Sequence, residues 1–321
     1  MQTITVANRK GGVGKSSVTT HLAAALGIRG ARVLVIDMDS QASTTSMLLE
    51  SIADDAPTTT QVLLGEARLA GIIQPSTRER VDIAPACSEL TRAQFAIVGK
   101  TGRETILRRS LRDLTGYDVV LIDTAPELQL ATVNALVAAT HVLMPFTPDP
   151  KALEGLHTTT EAVAEIAAAE LAQPRILGCV QVAYDRRLGV TEQAREQVHA
   201  AYGELLLDTR IRSNSSFIVC PAWHRDIFAM EHVFERDGLA GGEQRLTRVL
   251  ECMELVIGQA QQELARIPRC LGDDLDGDGG HAGLARAARL RLRAGGSRCL
   301  DESGRELAHE VSFTRPRRRV T

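Results

Sequence analysis

The chain of 321 residues is predicted to fold as an α/β protein, a twisted and mostly parallel sheet flanked by helices. Three observations predict this. The N-terminal stretch passes from a short β-branched run, Thr3 to Ala7, through a glycine-rich turn into a helical pattern over Ser17 to Ile28. Two more apolar runs, Arg32 to Asp37 and Tyr117 to Asp123, each end in a carboxylate. Strand-like and helix-like segments alternate along the chain, the order that builds a parallel sheet with helical crossovers.

The turn reads Arg9-Lys10-Gly11-Gly12-Val13-Gly14-Lys15-Ser16. Between a strand and a helix, its backbone N–H groups point inward and the helix N-terminus adds positive dipole, which suits a polyphosphate. In such a loop Lys15 reaches the β/γ-phosphates and the Ser16 hydroxyl ligates Mg²⁺. The ordinary pattern, G-x-x-x-x-G-K-[ST], wants glycine where this chain has Arg9. In its place comes a second lysine, Lys10, directly before Gly11-Gly12. A lysine there does not easily wrap back onto its own loop's phosphates. It can serve a nucleotide held by a facing subunit, neutralising charge in the manner of an arginine finger.

The helix after the turn carries Val18, Leu22, Ala25 and Leu26 at helical spacing. The strand that follows ends in Asp37 and Asp39. Ligands of open parallel sheets sit at the carboxyl ends of strands, so both carboxylates should face the crevice of the turn. Residues 42–116 contribute no chemistry of their own to this reading. Thr58 to Gly65 predicts a short capped helix, Val81 to Ala86 a strand and turn. Glu89 to Val98 and Arg103 to Leu114 predict helices, the second with an apolar stripe of Leu107, Leu111 and Leu114. The run ending in Asp123 is apolar throughout, as a central strand buried on both faces is, and fits beside the first strand. A carboxylate at its tip is placed to hold Mg²⁺.

Beyond it, His141 to Phe146 predicts another buried strand, with a helix beginning near Lys151 and a strand from Arg175 to Ala183. His157, with no partner at i+4, reads as a surface histidine. Leu246, Val249, Leu250, Met253, Val256, Ile257 and Leu264 form a last helical stripe. Two domains result: 1–266 as the α/β unit and 267–321 as a glycine- and arginine-rich, disordered tail. Asp274 to Ala285 opens like a calcium loop, but Ala285 stands where a bidentate Glu is needed.

Composition narrows the classes. Hydrophobic content of 44% supplies a core, and 3% aromatics disfavours stacking platforms for single strands. A net charge of −3 places any nucleic-acid contact on a local patch. Arg195, Arg210, Arg212, Arg225, Arg236, Arg245 and Arg248 are candidates for a basic face that touches only phosphates, interleaved with Glu196, Asp208, Glu231 and Glu235. The six cysteines form no C-x-x-C pair and read as reduced thiols. No signal peptide is expected, since strand-like sequence begins at Gln2. No apolar run approaches the ~18 residues of a transmembrane segment.

The lysine pair around the glycine turn resembles the deviant Walker A ATPases of the ParA/MinD type. Asp37-Met38-Asp39-Ser40-Gln41 is similar to that family's D-x-D-P-Q, with Ser40 for proline. Asp118 to Pro126 is similar to its D-x-x-x-I-D-x-P-P, and Lys151 to Leu156 to its F-A-L-E-G-L, with Lys151 for the aromatic. Ile218 to His224 departs from its E-A-P-S-H-G. The resemblance covers about residues 1–260 and implies a P-loop NTPase fold that hydrolyses ATP with Mg²⁺. It implies nucleotide contacts from Lys10, Gly11, Gly12, Val13, Gly14, Lys15, Ser16 and Ser17. Metal contacts come from Ser16, Asp37 and Asp123, with Asp39 aligning the attacking water and Lys10 completing the partner's site. It further implies an ATP-state homodimer, nonspecific double-stranded DNA, a ParB-like stimulating partner, and a cytoplasmic, nucleoid-associated protein that partitions chromosomes or plasmids. A MinD-like membrane-positioning ATPase needs an amphipathic anchor that the tail barely offers. A small-molecule ligase on the same fold has no use for Lys10.

Overall fold

The computed structural model describes residues 1–185 and 187–212. Strand β1 (Gln2–Val6) leads through the glycine turn into helix α1 (Lys15–Ile28), then β2 (Val33–Met38), α2 (Ser43–Leu48) and α3 (Thr59–Leu64). A short edge strand β3 (Gln74–Pro75) and β4 (Val81–Ala84) precede α4 (Leu90–Ala96) and α5 (Ile106–Ser110). There follow β5 (Val119–Thr124), α6 (Leu130–Ala138), β6 (His141–Phe146), α7 (Ala152–Ala168), β7 (Arg175–Tyr184), α8 (Gly189–Tyr202) and β8 (Leu206–Arg212). Among the described residues these strands form one sheet in the order β3-β4-β2-β5-β1-β6-β7-β8, parallel except for the β3–β4 pair.

The two faces of the sheet explain the near-continuous apolar strands. Along β2, Val33 and Val35 pack with Val18 and Leu22 of α1. Leu34 and Ile36 point the other way, into a layer with Leu63, Leu107 and Ala135. Strand β5 alternates in the same way, Leu121 to the first layer and Val120 and Ile122 to the second. A strand covered on both faces cannot afford the polar half of a period-2 pattern. Each fully buried side chain of this kind contributes about 1.5–3 kcal/mol relative to exposure.

β5 lies between β1 and β2, with Ile4 opposite Leu121 and Ile36 opposite Ile122. The expected placement of this strand beside the first is therefore observed. α3 also forms as expected. Thr58 caps it with a reciprocal Gln61 bond, and Gly65 ends it in the left-handed conformation. The expected helix over Arg103 to Leu114 is shorter than the pattern predicts. Arg103–Thr105 is a 3-10 turn, and Thr105 (φ −110°, ψ 7°) separates it from α5. The N–H of Leu107 goes to the Asn134 side chain at 3.1 Å, which fixes α5 against α6. The stripe at 246–264, the calcium-like loop and the 266/267 boundary lie outside the described residues.

Candidate functional site

The carboxyl ends of β1, β2 and β5 converge on the glycine turn. Gly14 takes φ 78° at the N-cap of α1 and Gly12 φ 72°, a region where an L side chain is strained. That lets the chain reverse tightly between Val6 and Lys15. The turn is braced from α7 and β6. The Asn8 side chain donates to the Pro145 carbonyl at 2.8 Å and accepts the Lys10 N–H at 2.9 Å. The Arg9 N–H donates to the Thr159 hydroxyl at 3.1 Å. Gly155 allows this approach, for a Cβ there would stand 2.5 Å from Asn8 Oδ1 and 3.1 Å from Lys10 Cβ. That is the physical content of the glycine in the A-L-E-G-L segment.

The two lysines are placed differently. Lys15 is buried, and its ammonium donates to the Lys10 carbonyl at 3.3 Å. Burial lowers its pKa, opposed by the negative charges of Asp123, Asp39 and Glu127. Lys10 is part-exposed and pairs with Asp149 in the loop after β6. Asp149 also accepts the Thr147 hydroxyl at 2.6 Å and the Lys151 N–H at 2.9 Å. Burial works against this carboxylate, but its bonds from Lys10, Thr147 and Lys151 hold it below the usual carboxylate range.

Asp37 and Asp123 lie at the tips of β2 and β5, fully buried and partners in register. Burial pushes the pKa of both upward; for Asp37 the nearby charge of Asp123 adds to the shift. Asp123 accepts hydrogen bonds from the Ser16 and Thr44 hydroxyls, the latter at 2.7 Å on Oδ2, and from the Thr124 N–H at 3.0 Å on Oδ1. Asp37 accepts the Asp39 N–H on Oδ1 at 3.0 Å, and both the N–H and hydroxyl of Thr45 on Oδ2. Its oxygens are thus spent on tying α2 to β2. Asp39 is buried beside them, its Oδ1 accepting the Gln41 N–H at 2.9 Å. A cleft of about 310 Å³ opens next to it, lined by Asp39, Ser40, Gln41, Gln94, Glu127 and Gln129 among others. Among the described residues no three His, Cys, Asp or Glu side chains are grouped to hold a metal ion by themselves. The Ser16 hydroxyl on the buried Asp123 carboxylate is the oxygen pair that fits a hard divalent cation brought in with phosphates.

The structure therefore brings together Gly11 to Ser17, Asp37, Asp39 and Asp123 at one end of the sheet. Thr44 and Thr45 were not legible in the sequence. Threonine carries no motif signal, and their partners lie 79 and 8 residues away in the chain. The stretch after residue 42, expected to hold no chemistry, thus reaches both buried carboxylates.

Three of the arginine candidates, Arg195, Arg210 and Arg212, lie among the described residues, and the first two are engaged within the fold. Arg195 on α8 is largely buried and donates to the Leu207 carbonyl at 3.1 Å. Arg210 pairs with Glu192 and lies over the Tyr184 ring at 4.8 Å. Arg212 is half-buried at the end of β8, while Arg225, Arg236, Arg245 and Arg248 lie outside the described residues. His157 is exposed, as expected, but it has a partner at i+4: its Nε2 lies 3.2 Å from Glu161. Among the described residues Cys87 and Cys179 are free thiols, and no helix is long and apolar enough to cross a membrane.

Residues 1–175 match a protein family described as an AAA domain. The chromosome partitioning protein ParA of Myxococcus xanthus is 32% identical over 227 residues, 70% of this chain and 80% of that protein. The chromosome-partitioning ATPase Soj of Thermus thermophilus is 34% identical over 70% of this chain and 86% of its own length. Among solved structures, cobyrinic acid a,c-diamide synthase from Mycobacterium smegmatis with bound ATP analogue and magnesium is 29% identical. It superposes with a TM-score of 0.63 over 70% of this chain and 93% of that one. Apo McdA from Cyanothece, 19% identical, has a TM-score of 0.70 over 82% of this chain and 99% of its own.

Proposed function

The chain belongs to the ParA/Soj-type ATPases of the ParA/MinD superfamily, and we propose that it is a partitioning switch that dimerises on ATP, binds nonspecific duplex DNA in that state, and is reset by hydrolysis. The observation that carries the reading is Lys10. It precedes a phosphate-binding turn, part-exposed, and sits outside the buried pocket occupied by Lys15. A site with one buried lysine for its own nucleotide has a second lysine, held by a part-exposed ion pair with Asp149, to serve another subunit's.

The roles follow from position. Backbone N–H groups of Gly11 to Ser17 cradle the phosphates, and Lys15 neutralises charge on them. Ser16 and Asp123 would hold Mg²⁺, which when bound would supply positive charge beside the phosphate oxygens. Asp37 supports the metal indirectly, through its charge and by fixing α2. Asp39 orients a water on the side of the polar cleft. Lys10 exchanges Asp149 for the partner's nucleotide. The relatives' printed names support partitioning as the role, and an ATP analogue with magnesium on a structure of the same fold supports the cofactors. DNA binding rests on phosphate contacts from arginines such as Arg212, Arg225, Arg245 and Arg248, with release from Glu192 required of Arg210. A ParB-like protein is the stimulating partner in this reading, and the nucleoid the location.

Binding to arbitrary duplex DNA with ATP, with ADP and with neither, across a salt series, tests the DNA arm. ATP-dependent, salt-sensitive and sequence-indifferent binding that fails in Arg212→Glu supports it. Indifference to DNA in every nucleotide state refutes it.

A further inference from the structure

Adjacent residues on one short helix hold the two buried carboxylates at the mouth of the site. Thr44 donates its hydroxyl to Asp123 Oδ2 at 2.7 Å. Thr45 donates both its N–H (2.9 Å) and its hydroxyl (2.7 Å) to Asp37 Oδ2, and accepts the Ala86 N–H at 2.9 Å. Both threonines are buried, Thr44 at 0% exposure. Asp37 and Asp123 are register partners on neighbouring strands, so α2 spans the tips of β2, β5 and β4. The segment leading into α2 begins at Asp39 and passes through Ala42, which takes φ 52°, a left-handed conformation unusual for alanine.

We propose that Thr44 is a positioning residue for the metal site, orienting the Asp123 carboxylate toward the Ser16 side and carrying the arrival of the metal into the segment from Asp39 to Leu48. The inference rests on the nucleotide reading above. A threonine hydroxyl has one proton to donate. Here that proton is given to Oδ2, while Thr124 N–H holds Oδ1, so the plane of the carboxylate is fixed from both sides. A carboxylate that holds a metal directly or through its water depends on such outer partners for its orientation. Because Thr44 shares a helix with Thr45, a metal drawn onto Asp123 alters one of the carboxylate anchors of α2. Asp39 lies at the start of the same segment and is itself tied to it, its carbonyl accepting the Ala42 N–H at 2.9 Å. Metal occupancy and the carboxylate that would align water are thereby linked through the Thr44 hydroxyl, alongside the Asp39 N–H bond to Asp37.

The test compares wild type, Thr44→Val and Thr44→Ser as full chains. Mn²⁺ binding is followed by electron paramagnetic resonance at fixed ADP, and ADP binding is followed separately in EDTA. Loss of the hydroxyl in Thr44→Val is expected to weaken Mn²⁺ by about tenfold, while Thr44→Ser stays within about twofold of wild type. ADP affinity in EDTA should be the same in all three. Hydrogen exchange of residues 40–48 should change on saturating Mn²⁺ with ADP in wild type and Thr44→Ser, and not in Thr44→Val. If Thr44→Val does not fold, Thr44→Ala is measured in the same way. Wild-type Mn²⁺ affinity in the valine or alanine variant overturns the proposal. So does an equal loss in Thr44→Ser, or a parallel loss of metal-free ADP binding. A wild-type protein that binds neither ADP nor Mn²⁺ with ADP overturns the nucleotide reading itself.

Discussion

Asp37 and Asp123 stand side by side as register partners on adjacent parallel strands, each with no exposed surface. Two anions in that position repel, and burial raises both pKa values. The folded state therefore binds protons more tightly than the unfolded chain between the ordinary aspartate range and neutrality. A raised carboxylate pKa contributes stability at low pH that is lost as pH rises through the folded value.

Denaturant unfolding of the metal-free protein should accordingly give a lower stability at pH 8 than at pH 5. The difference expected from this pair is of the order of 1–3 kcal/mol. Mg²⁺ with ADP should recover more stability at pH 8 than at pH 5, since the metal takes the place of the protons. Burial also lowers the pKa of His141, which works in the opposite direction over this interval, so the pair is read from the stability of wild type minus that of Asp37→Asn. A difference that does not fall from pH 5 to pH 8 contradicts the assignment.

Lys10 is held by Asp149 across a part-exposed contact, with side chains 30% and 29% accessible. Ion pairs of this exposure contribute about 1 kcal/mol or less. If both Lys10 side chains must leave Asp149 to complete the partner's site, Asp149→Asn should lower the ATP-dependent dimer dissociation constant by up to about thirtyfold. Sedimentation over a concentration series measures it. Weaker dimerisation in Asp149→Asn counts against Asp149 as a competitor for Lys10.

Gly155 sits where a methyl group would meet Asn8 Oδ1 at 2.5 Å. Gly155→Ala should displace the Asn8 amide that fixes the Lys10 N–H, costing about 1–3 kcal/mol of stability as overpacking does. Calorimetric melting and ADP titration read the two effects. Unchanged melting and unchanged affinity would show that the turn does not depend on this contact.

Asn8 itself gives a matched test, for its side chain bonds both Pro145 and Lys10. Asn8→Ala should weaken ADP binding by several-fold, about 1 kcal/mol for the bond to the turn, while Asn8→Asp should fail to restore it because the donor to Pro145 is lost. Isothermal titration separates the two. Full recovery in the aspartate variant would mean that only the bond to the Lys10 N–H matters.

Much of this architecture was legible because buried parallel strands announce themselves. β1, β2, β5 and β6 are short β-branched or apolar runs, and two of them end in the carboxylates that mark the site. The glycines and lysines of the turn carry their chemistry in their spacing. α6 was not legible. Leu130–Ala138 is buried nearly all round, so its sequence shows no amphipathic period and merges with the strand that follows. α2 has six residues, no side-chain cap, and an N-cap alanine in a left-handed conformation, none of which a propensity argument favours. The role of Thr44 depends on a contact across 79 residues, which only the packed sheet creates. α8 and β8 supply three of the arginine candidates, but folding commits Arg195 to Leu207 and Arg210 to Glu192. Charge counted along the chain does not reveal such internal pairing.

In the proposed switch ATP joins two copies through Lys10. Sedimentation velocity of wild type, Lys10→Ala and Lys15→Ala, each with ATP, with ADP and without nucleotide, tests it most directly. A dimer is expected only for wild type with ATP; Lys10→Ala should still bind ATP but not turn it over, and Lys15→Ala should lose nucleotide. A Lys10→Ala protein that dimerises and hydrolyses ATP like wild type would contradict the switch and favour a ligase on the same fold.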